Sequence, residues 1–96
     1  MKTARVIGNV WATRKDEKLS GLKLLIVQPL DMVTGAPDGS PIIAADIIGA
    51  GEGERVIYTS GSSARKAAGA DYVPVDATVV GIIDDLDIDS SLLENE

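Results

Sequence analysis

The stretch from Ser60 to Lys66 holds the side chains whose types and spacing come nearest to nucleophilic chemistry. A serine nucleophile normally needs a histidine base that is oriented by a carboxylate, and the chain of 96 residues contains no histidine. Ser62 or Ser63 with Lys66 is the pairing that remains, but an exposed lysine of ordinary pKa is a poor base. These residues therefore predict a protein that is not an enzyme.

Metal-binding side chains are equally sparse. The chain has neither cysteine nor histidine, which removes the thiolate and imidazole ligands of most zinc sites. Asp85, Asp87 and Asp89 alternate along the chain and could gather a hard cation, but the pattern lacks the glycine and the terminal glutamate of a calcium loop. A solvated acidic end is the favoured interpretation. We expect neither a metal nor a cofactor.

Three glycines, Gly49, Gly51 and Gly53, occur within a short segment that also contains Glu52 and Glu54. Their spacing matches neither a dinucleotide fingerprint nor a P-loop, and two glutamates would repel a phosphate. Glycine tolerates positive φ and lets another backbone come close, so the cluster suits tight packing against a neighbouring chain. An ordinary glycine-rich hairpin loop would use the same residues. The spacing leaves both interpretations open.

A short helix is predicted at Ala64–Ala68. Ser62 or Ser63 is expected to cap its first N–H groups, and Gly69 is expected to end it in a left-handed conformation. With Arg65 close by, this N-terminus could bind an anion. The favoured interpretation is a capped helix whose Arg65 pairs with a carboxylate. The candidate partners of Arg65 are Asp46, Glu54 and Asp76.

Five strands are predicted to position these segments, from alternating residues or from short apolar runs bounded by turns. They are Thr3–Thr13, Leu22–Gln28, Ile42–Ile48, Arg55–Thr59 and Ala77–Leu86. A turn region is expected over Asp31–Pro41, where Pro37-Asp38-Gly39 has the residue types of a type I turn. The expected fold class is mostly β: a small five-stranded OB-like antiparallel barrel with one short helix before the last strand. Residues 1–88 would form this single barrel domain, and residues 89–96 an acidic C-terminal tail.

The strands carry more apolar surface than one small barrel can bury. A barrel turns one face of each strand inward, yet the second, third and fifth strands are apolar on both faces. Depending on register, the surplus consists of Leu25, Val27, Ile43, Ile47, Val80 and Ile82 or of their neighbours. Soluble monomers rarely expose a large contiguous apolar patch. The pattern therefore favours an oligomer of undetermined order, with coverage by loops of the same chain as the alternative.

Acidic residues exceed basic ones, which gives the chain a net charge of −6. Such a surface repels phosphate backbones, whose affinity for proteins comes largely from lysine and arginine. No segment of the sequence is long and apolar enough to cross a bilayer. We expect no nucleic-acid partner, no membrane partner and a cytosolic location.

Several motifs in order resemble the EutN/CcmL family, the pentameric vertex proteins of bacterial microcompartment shells. The motifs are R-V-I-G-N-V-W-A-T, L-L-I-V-Q-P-L-D, G-A-G-E-G-E-R-V, S-G-S-S-A-R and P-V-D-A-T-V-V-G-I-I-D. The resemblance implies a homopentamer that caps the five-fold vertices of a microcompartment shell in the cytoplasm, between hexameric shell proteins. The stretch Ile88–Glu96 departs from the family, for which a more basic ending is expected.

The resemblance also implies roles for individual residues. Those assigned to the subunit interface and the axial loop are Asp46, Gly49, Gly51, Glu52, Gly53, Glu54, Ser62, Ser63 and Arg65. Those assigned to contacts with neighbouring shell tiles are Arg14 and Lys15, with Arg5 and Lys23 as further candidates.

Two alternatives from other classes of protein remain. An OB-like module for nucleic acid or oligosaccharide would stack its ligand on aromatic side chains in a basic groove. This chain has few aromatic residues and excess negative charge, which weakens that alternative. A small enzyme would use the anion site at Gly61–Lys66 instead.

Overall fold

Five β-strands and one α-helix account for most of the regular structure. The computed structural model describes residues 1–11, 19, 21–69 and 75–93. The strands are β1 (Lys2–Asn9), β2 (Lys23–Pro29), β3 (Ile42–Asp46), β4 (Arg55–Ser60) and β5 (Ala77–Ile82). The α-helix, α1, spans Gly61–Ala68, and a short 3-10 helix spans Ser90–Leu92.

The strands close into a barrel in the order β1-β2-β3-β5-β4. β1 pairs antiparallel with β2 and β4, β2 with β3, and β4 with β5. β3 and β5 run parallel and pair at two positions, Ala45 with Thr78 and Asp46 with Val79. The predicted five-stranded barrel with one short helix before the last strand is confirmed, and it contains one parallel pairing besides the antiparallel ones.

Aliphatic side chains of modest size fill the barrel. The largest completely buried apolar side chains are those of Leu25, Val6, Val27, Val56 and Val79. The observed register resolves which face of β2 is internal, because Leu25 and Val27 point inward while Ile26 lies on the outer face opposite Ile43. Of the two alternative apolar faces of β2, the barrel therefore buries the one that contains Leu25.

α1 covers one part of the outside of the barrel. The carbonyl oxygen of Ala64 accepts a hydrogen bond of 2.7 Å from the Thr78 hydroxyl on β5. Ala64, Thr78 and Ala45, the cross-strand neighbour of Thr78, are all completely buried. Because residues alternate between the two faces of a strand and Val79 points inward, Thr78 lies on the outer face beneath the helix. The helix thus protects the short parallel pairing of β3 with β5.

The N-terminus of α1 differs from the prediction. The helix begins at Gly61 rather than Ala64, and its N-cap residue is Ser60, whose side chain makes no capping hydrogen bond. The predicted cap by Ser62 or Ser63 is therefore wrong, because β4 continues through Ser60 and the helix starts directly after it. At the other end, Gly69 has a φ of 145° and its N–H donates to the carbonyls of Arg65 and Lys66. The predicted glycine terminus is confirmed.

Three strands end earlier than predicted. β1 ends at Asn9, β3 at Asp46 and β5 at Ile82. After β5, the Ile83 N–H still donates to the carbonyl of Arg55 over 2.8 Å. Acidic residues follow, and aspartate is depleted in strands. Residues 12 and 13, which were predicted to belong to the first strand, lie outside the described residues.

The connection between β2 and β3 turns within the predicted region Asp31–Pro41, at residues 32–34 and with a bend at Gly39. Asp31 accepts hydrogen bonds from the Val33 and Thr34 N–H groups through its carboxylate, and from the Gly35 N–H through its carbonyl. These bonds hold the pKa of the Asp31 carboxyl below its usual value. Pro37, which was predicted to start the turn, forms an isolated bridge with Leu30 instead.

The chain continues beyond the barrel as a segment without strands. β5 ends at Ile82, and the next regular element is the 3-10 helix at Ser90–Leu92. The described chain measures 48 Å along its longest axis and 25 and 22 Å along the others, whereas an eight-residue strand spans only about 26 Å. The division into a barrel domain at 1–88 and a tail at 89–96 stays a prediction.

Candidate functional site

The loop that joins β3 to β4, residues 47–54, is here called the glycine loop. Its central residue Ala50 is completely buried and belongs to the hydrophobic core of the barrel. Gly49 and Gly51 flank Ala50. The loop therefore turns back into the barrel and closes part of one end, rather than projecting freely as an ordinary hairpin loop would.

Asp46 shapes the first half of the glycine loop. Its Oδ1 accepts hydrogen bonds from the N–H groups of Ile48 at 2.9 Å and Gly49 at 3.0 Å. Its Oδ2 accepts another from the Ala50 N–H at 2.9 Å. Only 7% of Asp46 is exposed, so these three bonds compensate a carboxylate that has lost most of its water. Asp46 ends β3 because its side chain takes over the backbone N–H groups that follow.

Lys23 on β2 secures the same half of the loop from the neighbouring strand. Its Nζ donates to the Ala50 carbonyl at 3.1 Å and lies 3.9 Å from Asp46 Oδ2. Lys23 is directly opposite Asp46 in the β2–β3 register. Because half of the Lys23 side chain is exposed, we attribute its role to orientation of the loop more than to net stabilisation.

β1 secures the second half of the loop. The Arg5 guanidinium donates to the Gly53 carbonyl at 2.7 Å through Nη1, and Asn9 Nδ2 donates to Glu52 Oε2 at 3.2 Å. The backbone of Val6 adds two bonds, donating to the Glu54 carbonyl and accepting from the Gly53 N–H. The loop joins β3 to β4 and is also held by two further strands, β1 and β2.

Two of the three loop glycines are required by backbone conformation. Gly49 has a φ of 93° and Gly53 a φ of 89°, values that other residues adopt only under strain. Gly51 has no positive φ, and a Cβ placed on it would lie 3.6 Å from Glu54 Oε1, which is an ordinary contact. Glu54 Oε1 accepts the Gly51 N–H at 2.6 Å. Within one chain nothing requires glycine at position 51.

α1 presents the remaining predicted interface residues. Ser62 and Ser63 are exposed on its first turn, and Arg65 is half-buried. Among residues 1–11, 19, 21–69 and 75–93, Arg65 forms no ion pair, and Lys23–Asp46 is the pair that is found. The predicted partners Asp46 and Glu54 are instead bound to N–H groups of the glycine loop, and Asp76 is exposed.

An apolar strip crosses the outside of the barrel where α1 does not cover it. It consists of Ile7 on β1, Ile26 on β2 and Ile43 on β3; Ile26 and Ile43 are cross-strand partners. Half of Ile7 is exposed, and 54% of Ile43. Ile47 and Ile48, where the glycine loop begins, are also nearly half exposed. The predicted surplus of apolar strand surface is therefore present, with Ile43 and Ile47 among the residues named for it.

Arg5 and Lys23 contact the glycine loop, a role that the sequence analysis did not predict for them. Both were candidates for contacts with other shell proteins, whereas here both hold the glycine loop. The sequence shows that both residues are charged and lie on strands. Which loop atoms their side chains reach depends on the pairing register of the barrel strands. Arg14 and Lys15, the other candidates for shell contacts, lie outside the described residues.

The described residues show no feature of a metal or membrane site. No three acidic side chains among them are arranged to hold a metal ion. No described helix combines the length and the apolar character needed to cross a bilayer. Tyr58, an aromatic residue that a base-stacking module could use, is only 6% exposed and points into the core, where burial raises the pKa of its hydroxyl.

The chain has clear relatives among known proteins. The family model described as "Ethanolamine utilisation protein EutN/carboxysome" matches residues 1–84. The bacterial microcompartment shell vertex protein GrpN of Rhodospirillum rubrum is 50% identical over 84 residues, which are 88% of this chain and 93% of GrpN. The carboxysome shell vertex protein CcmL of Synechocystis sp. is 45% identical over 96 residues, which are 100% of this chain and 95% of CcmL.

The similarity extends to three-dimensional structure. A solved structure described as the GrpN pentameric microcompartment shell protein from Rhodospirillum rubrum matches with a TM-score of 0.82 at 45% sequence identity. The match covers 92% of this chain and 99% of that chain. The barrel, the helix and the order of the strands are therefore those of a solved fold.

Proposed function

The chain belongs to the EutN/CcmL family, and on that premise we propose that it is a structural shell protein. It forms a homopentamer that caps the five-fold vertices of a bacterial microcompartment and closes its polyhedral shell. The names of the relatives GrpN and CcmL, both shell vertex proteins, support this role. The description of the GrpN structure as pentameric supports a ring of five.

One observation on this chain carries the proposal: its apolar strip has no cover within the described residues. Ile43 alone is 54% exposed at a position where a solitary barrel needs a polar side chain. Burying such a side chain completely stabilises the assembly by about 1.5–3 kcal/mol relative to full exposure. A side chain that is already half covered contributes about half of that free energy. Identical subunits joined head to tail form a closed ring when the rotation fits. Subunit contacts in such a ring remove this surface from water.

The glycine loop has the properties of a segment packed near a symmetry axis. Copies of one loop crowd together there, so a glycine that its own chain does not require suits the position. Gly51 is such a residue, because neither its φ nor its surroundings exclude a side chain. The bonds from Arg5 and Lys23 keep the loop in one shape before assembly, which lowers the entropic cost of ordering it in the ring.

Hexameric shell proteins are the partners that this role requires, since flat sheets of hexamers close only where pentamers introduce curvature. Arg14 and Lys15 remain the residues proposed to meet them. Trp11 precedes these residues and is 92% exposed. An aromatic side chain of this size is typical of an interface core, so we assign Trp11 to the same contact. The shell edge of the pentamer would then include residues from the end of β1 onward.

A structural role also agrees better with the chemistry of the chain than catalysis does. The relatives are named as shell proteins. The chain contains no histidine or cysteine, and Ser62 and Ser63 lie exposed on a helix without a base to activate them. The OB-like binding alternative is weakened because Tyr58 is only 6% exposed and because a net charge of −6 opposes binding to a phosphate backbone.

Native mass spectrometry of the purified chain tests the first step. A species of five times the 10.0 kDa chain mass is expected at micromolar concentration. A monomer or dimer as the sole species would contradict the proposal. The second step is coexpression with a hexameric shell protein: closed particles should form only when this chain is included, and electron microscopy would show open sheets or tubes without it.

A further inference from the structure

The outside of the barrel contains an apolar hollow that is separate from the apolar strip. It has a volume of about 520 Å³, and its apolar lining comprises Met1, Met32, Ile57, Ile82, Ile83 and Leu86. This volume lies within the range of small binding pockets. One lysine and two aspartates complete the charged part of its lining. Among the described residues none beyond Leu86 lines the hollow, so residues 87–93 leave it open.

The segment that follows the hollow is itself apolar on one side. We call residues 87–93 the C-terminal arm. Ile88 is 39% exposed and Leu92 is 77% exposed. Asp87 and Asp89 alternate with Ile88, so an extended arm turns its acidic side chains away from the isoleucine. Within the described residues Ile88 is thus partly covered and Leu92 largely uncovered, and both offer apolar surface to a partner.

The tip of the arm has a defined shape. The Asp89 carboxylate accepts hydrogen bonds from the Ser91 hydroxyl at 2.5 Å and from the Ser91 N–H at 3.0 Å through the same oxygen, Oδ1. These two bonds hold the pKa of the Asp89 carboxyl below its usual value. They fold Ser90–Leu92 into the 3-10 helix that exposes Leu92. A preformed tip loses less conformational entropy on docking than a disordered one would.

We propose that the C-terminal arm of each subunit docks into the apolar hollow of a neighbouring subunit, with Ile88 and Leu92 as the inserted side chains. The proposal rests on the pentamer proposed above and names a contact within it. Each copy carries one arm and one hollow. A head-to-tail ring therefore fills every hollow and covers every arm, as a heterologous interface requires.

A neighbouring copy is a better recipient for the arm than the same chain. Leu86 lies in the wall of its own hollow, and six residues of extended chain carry Leu92 at most about 20 Å from Leu86. In the described conformation the arm does not fold back, because none of its residues lines the hollow and 77% of Leu92 is exposed. The apolar strip is the alternative receptor within a ring, and disulfide trapping distinguishes it from the hollow.

Aspartates lie both in the lining of the hollow and on the arm. Asp84 and Asp85 help to line the hollow, and Lys2 is the cation among its lining residues. An acidic arm is therefore not attracted by net charge, and its docking depends on Ile88 and Leu92. High salt should leave the contact intact or strengthen it, because salt screens the repulsion between the aspartates.

Disulfide trapping tests the contact directly, since the chain has no cysteine of its own. Leu92→Cys and Met32→Cys replace side chains that are 77% and 49% exposed, so neither change disturbs the core. Equal amounts of the two single variants, mixed, reassembled and oxidised, should give a covalent dimer that contains one chain of each kind. Leu92→Cys mixed with Ile43→Cys is the matched control, because Ile43 is equally exposed but lies on the strip.

The outcomes separate this inference from the proposed function. A pentamer by native mass spectrometry in which Leu92→Cys couples to Ile43→Cys, or to neither partner, would overturn the arm contact and leave the pentamer standing. Loss of the pentamer in the unmodified chain would remove both. A double variant that oxidises within single chains only would show that the arm folds back, and would also overturn the inference.

Truncation after Leu86 gives an independent measurement. The shortened chain keeps every strand and α1, so its far-UV circular dichroism should match that of the full chain. The concentration at which the pentamer dissociates should rise about ten-fold or more, because each subunit loses two buried aliphatic side chains. Leu92→Asp should reproduce much of this change, and Asp87→Asn should not. Equal dissociation of truncated and full chains would contradict the inference.

Discussion

At the scale of single residues, the glycine loop is determined by a few polar contacts around a buried alanine. The Asp46 carboxylate collects three consecutive N–H groups, and Ala50 enters the core directly after them. Arg5 then fixes the carbonyl of Gly53. Because these contacts lie within one subunit, the loop is shaped before any assembly takes place. In the proposed ring this segment would be ordered before association, which lowers the entropic cost of assembly.

The loop glycines are expected to divide into two classes when valine replaces them. Gly53→Val places a β-branched residue at a φ of 89°, which costs about 1–3 kcal/mol of stability in the folded chain. Gly51→Val meets no such strain and only an ordinary contact with Glu54. It should leave the stability of the barrel close to that of the unchanged chain and weaken the pentamer. Urea unfolding and native mass spectrometry at one fixed protein concentration measure the two effects.

The comparison between the two glycine variants contains its own control. If Gly51→Val forms the pentamer as well as the unchanged chain does, the loop does not pack against a neighbouring subunit. If it unfolds as easily as Gly53→Val, glycine at position 51 is required by the single chain and the proposed packing role is wrong.

The residue-level chemistry was only partly predictable from the sequence. The glycine cluster and Asp46 stand out in the sequence because their residue types are unusual for their positions, and their place at a subunit interface stays a prediction. Asp46 was one of three candidate partners of Arg65, together with Glu54 and Asp76, whereas in the structure its carboxylate accepts from the backbone N–H groups of the next turn. That choice depends on the chain reversing after β3. The contacts of Arg5 and Lys23 depend on cross-strand register, which a single strand does not specify.

At the scale of elements, α1 both protects the barrel and presents a charged face. Ala64 packs on β5 through the Thr78 hydroxyl, and Arg65, the next residue, remains without an ion pair in the described part of the chain. A half-buried guanidinium without a carboxylate is suited to a pair across a subunit boundary. Among its predicted partners, Asp76 is exposed while Asp46 and Glu54 already accept hydrogen bonds in the glycine loop.

Arg65→Ala is therefore expected to loosen the ring without unfolding the subunit. The concentration at which the pentamer dissociates should rise by about two-fold to ten-fold, the range of a partly exposed charged pair. Lys66→Ala, one residue along on the exposed side of the helix, is the matched control and should change little. A double change of Arg65 and Asp76 should show an interaction energy between the sites. Independent, additive effects with Asp46, Glu54 and Asp76 in turn would exclude the ion pair.

The elements themselves were more predictable than their ends. Alternation and aliphatic runs located all five strands, because these signals extend over several residues. The ends depend on single contacts: Asp46 stops β3, and β4 passes straight into α1 so that neither Ser62 nor Ser63 reaches a capping position. The parallel pairing of β3 with β5 arises from closure of the barrel, which no local pattern contains.

At the scale of the whole molecule, two uncovered apolar surfaces distinguish this chain from a solitary barrel. One is the strip of Ile7, Ile26 and Ile43, and the other is the hollow beside the C-terminal arm. The surplus could be predicted from strands that are apolar on both faces. The order of the ring could not, because it depends on the rotation between two docked surfaces. The number five in the proposal comes from the relative GrpN, whose solved structure is described as pentameric.

Ile43→Asp is expected to convert the pentamer into folded single subunits. The side chain is 54% exposed and lies on the outer face of β3, so aspartate there leaves the core unchanged. In a ring of identical subunits the substitution is present at every subunit contact. Each contact then buries less apolar surface, and it must also remove an unpaired charge from water. The variant should therefore run as a monomer in native mass spectrometry and retain the circular dichroism of the barrel. Val33→Asp, at a side chain of equal exposure off the strip, should remain pentameric; an intact pentamer from Ile43→Asp would show that the strip faces solvent and that other surfaces join the subunits.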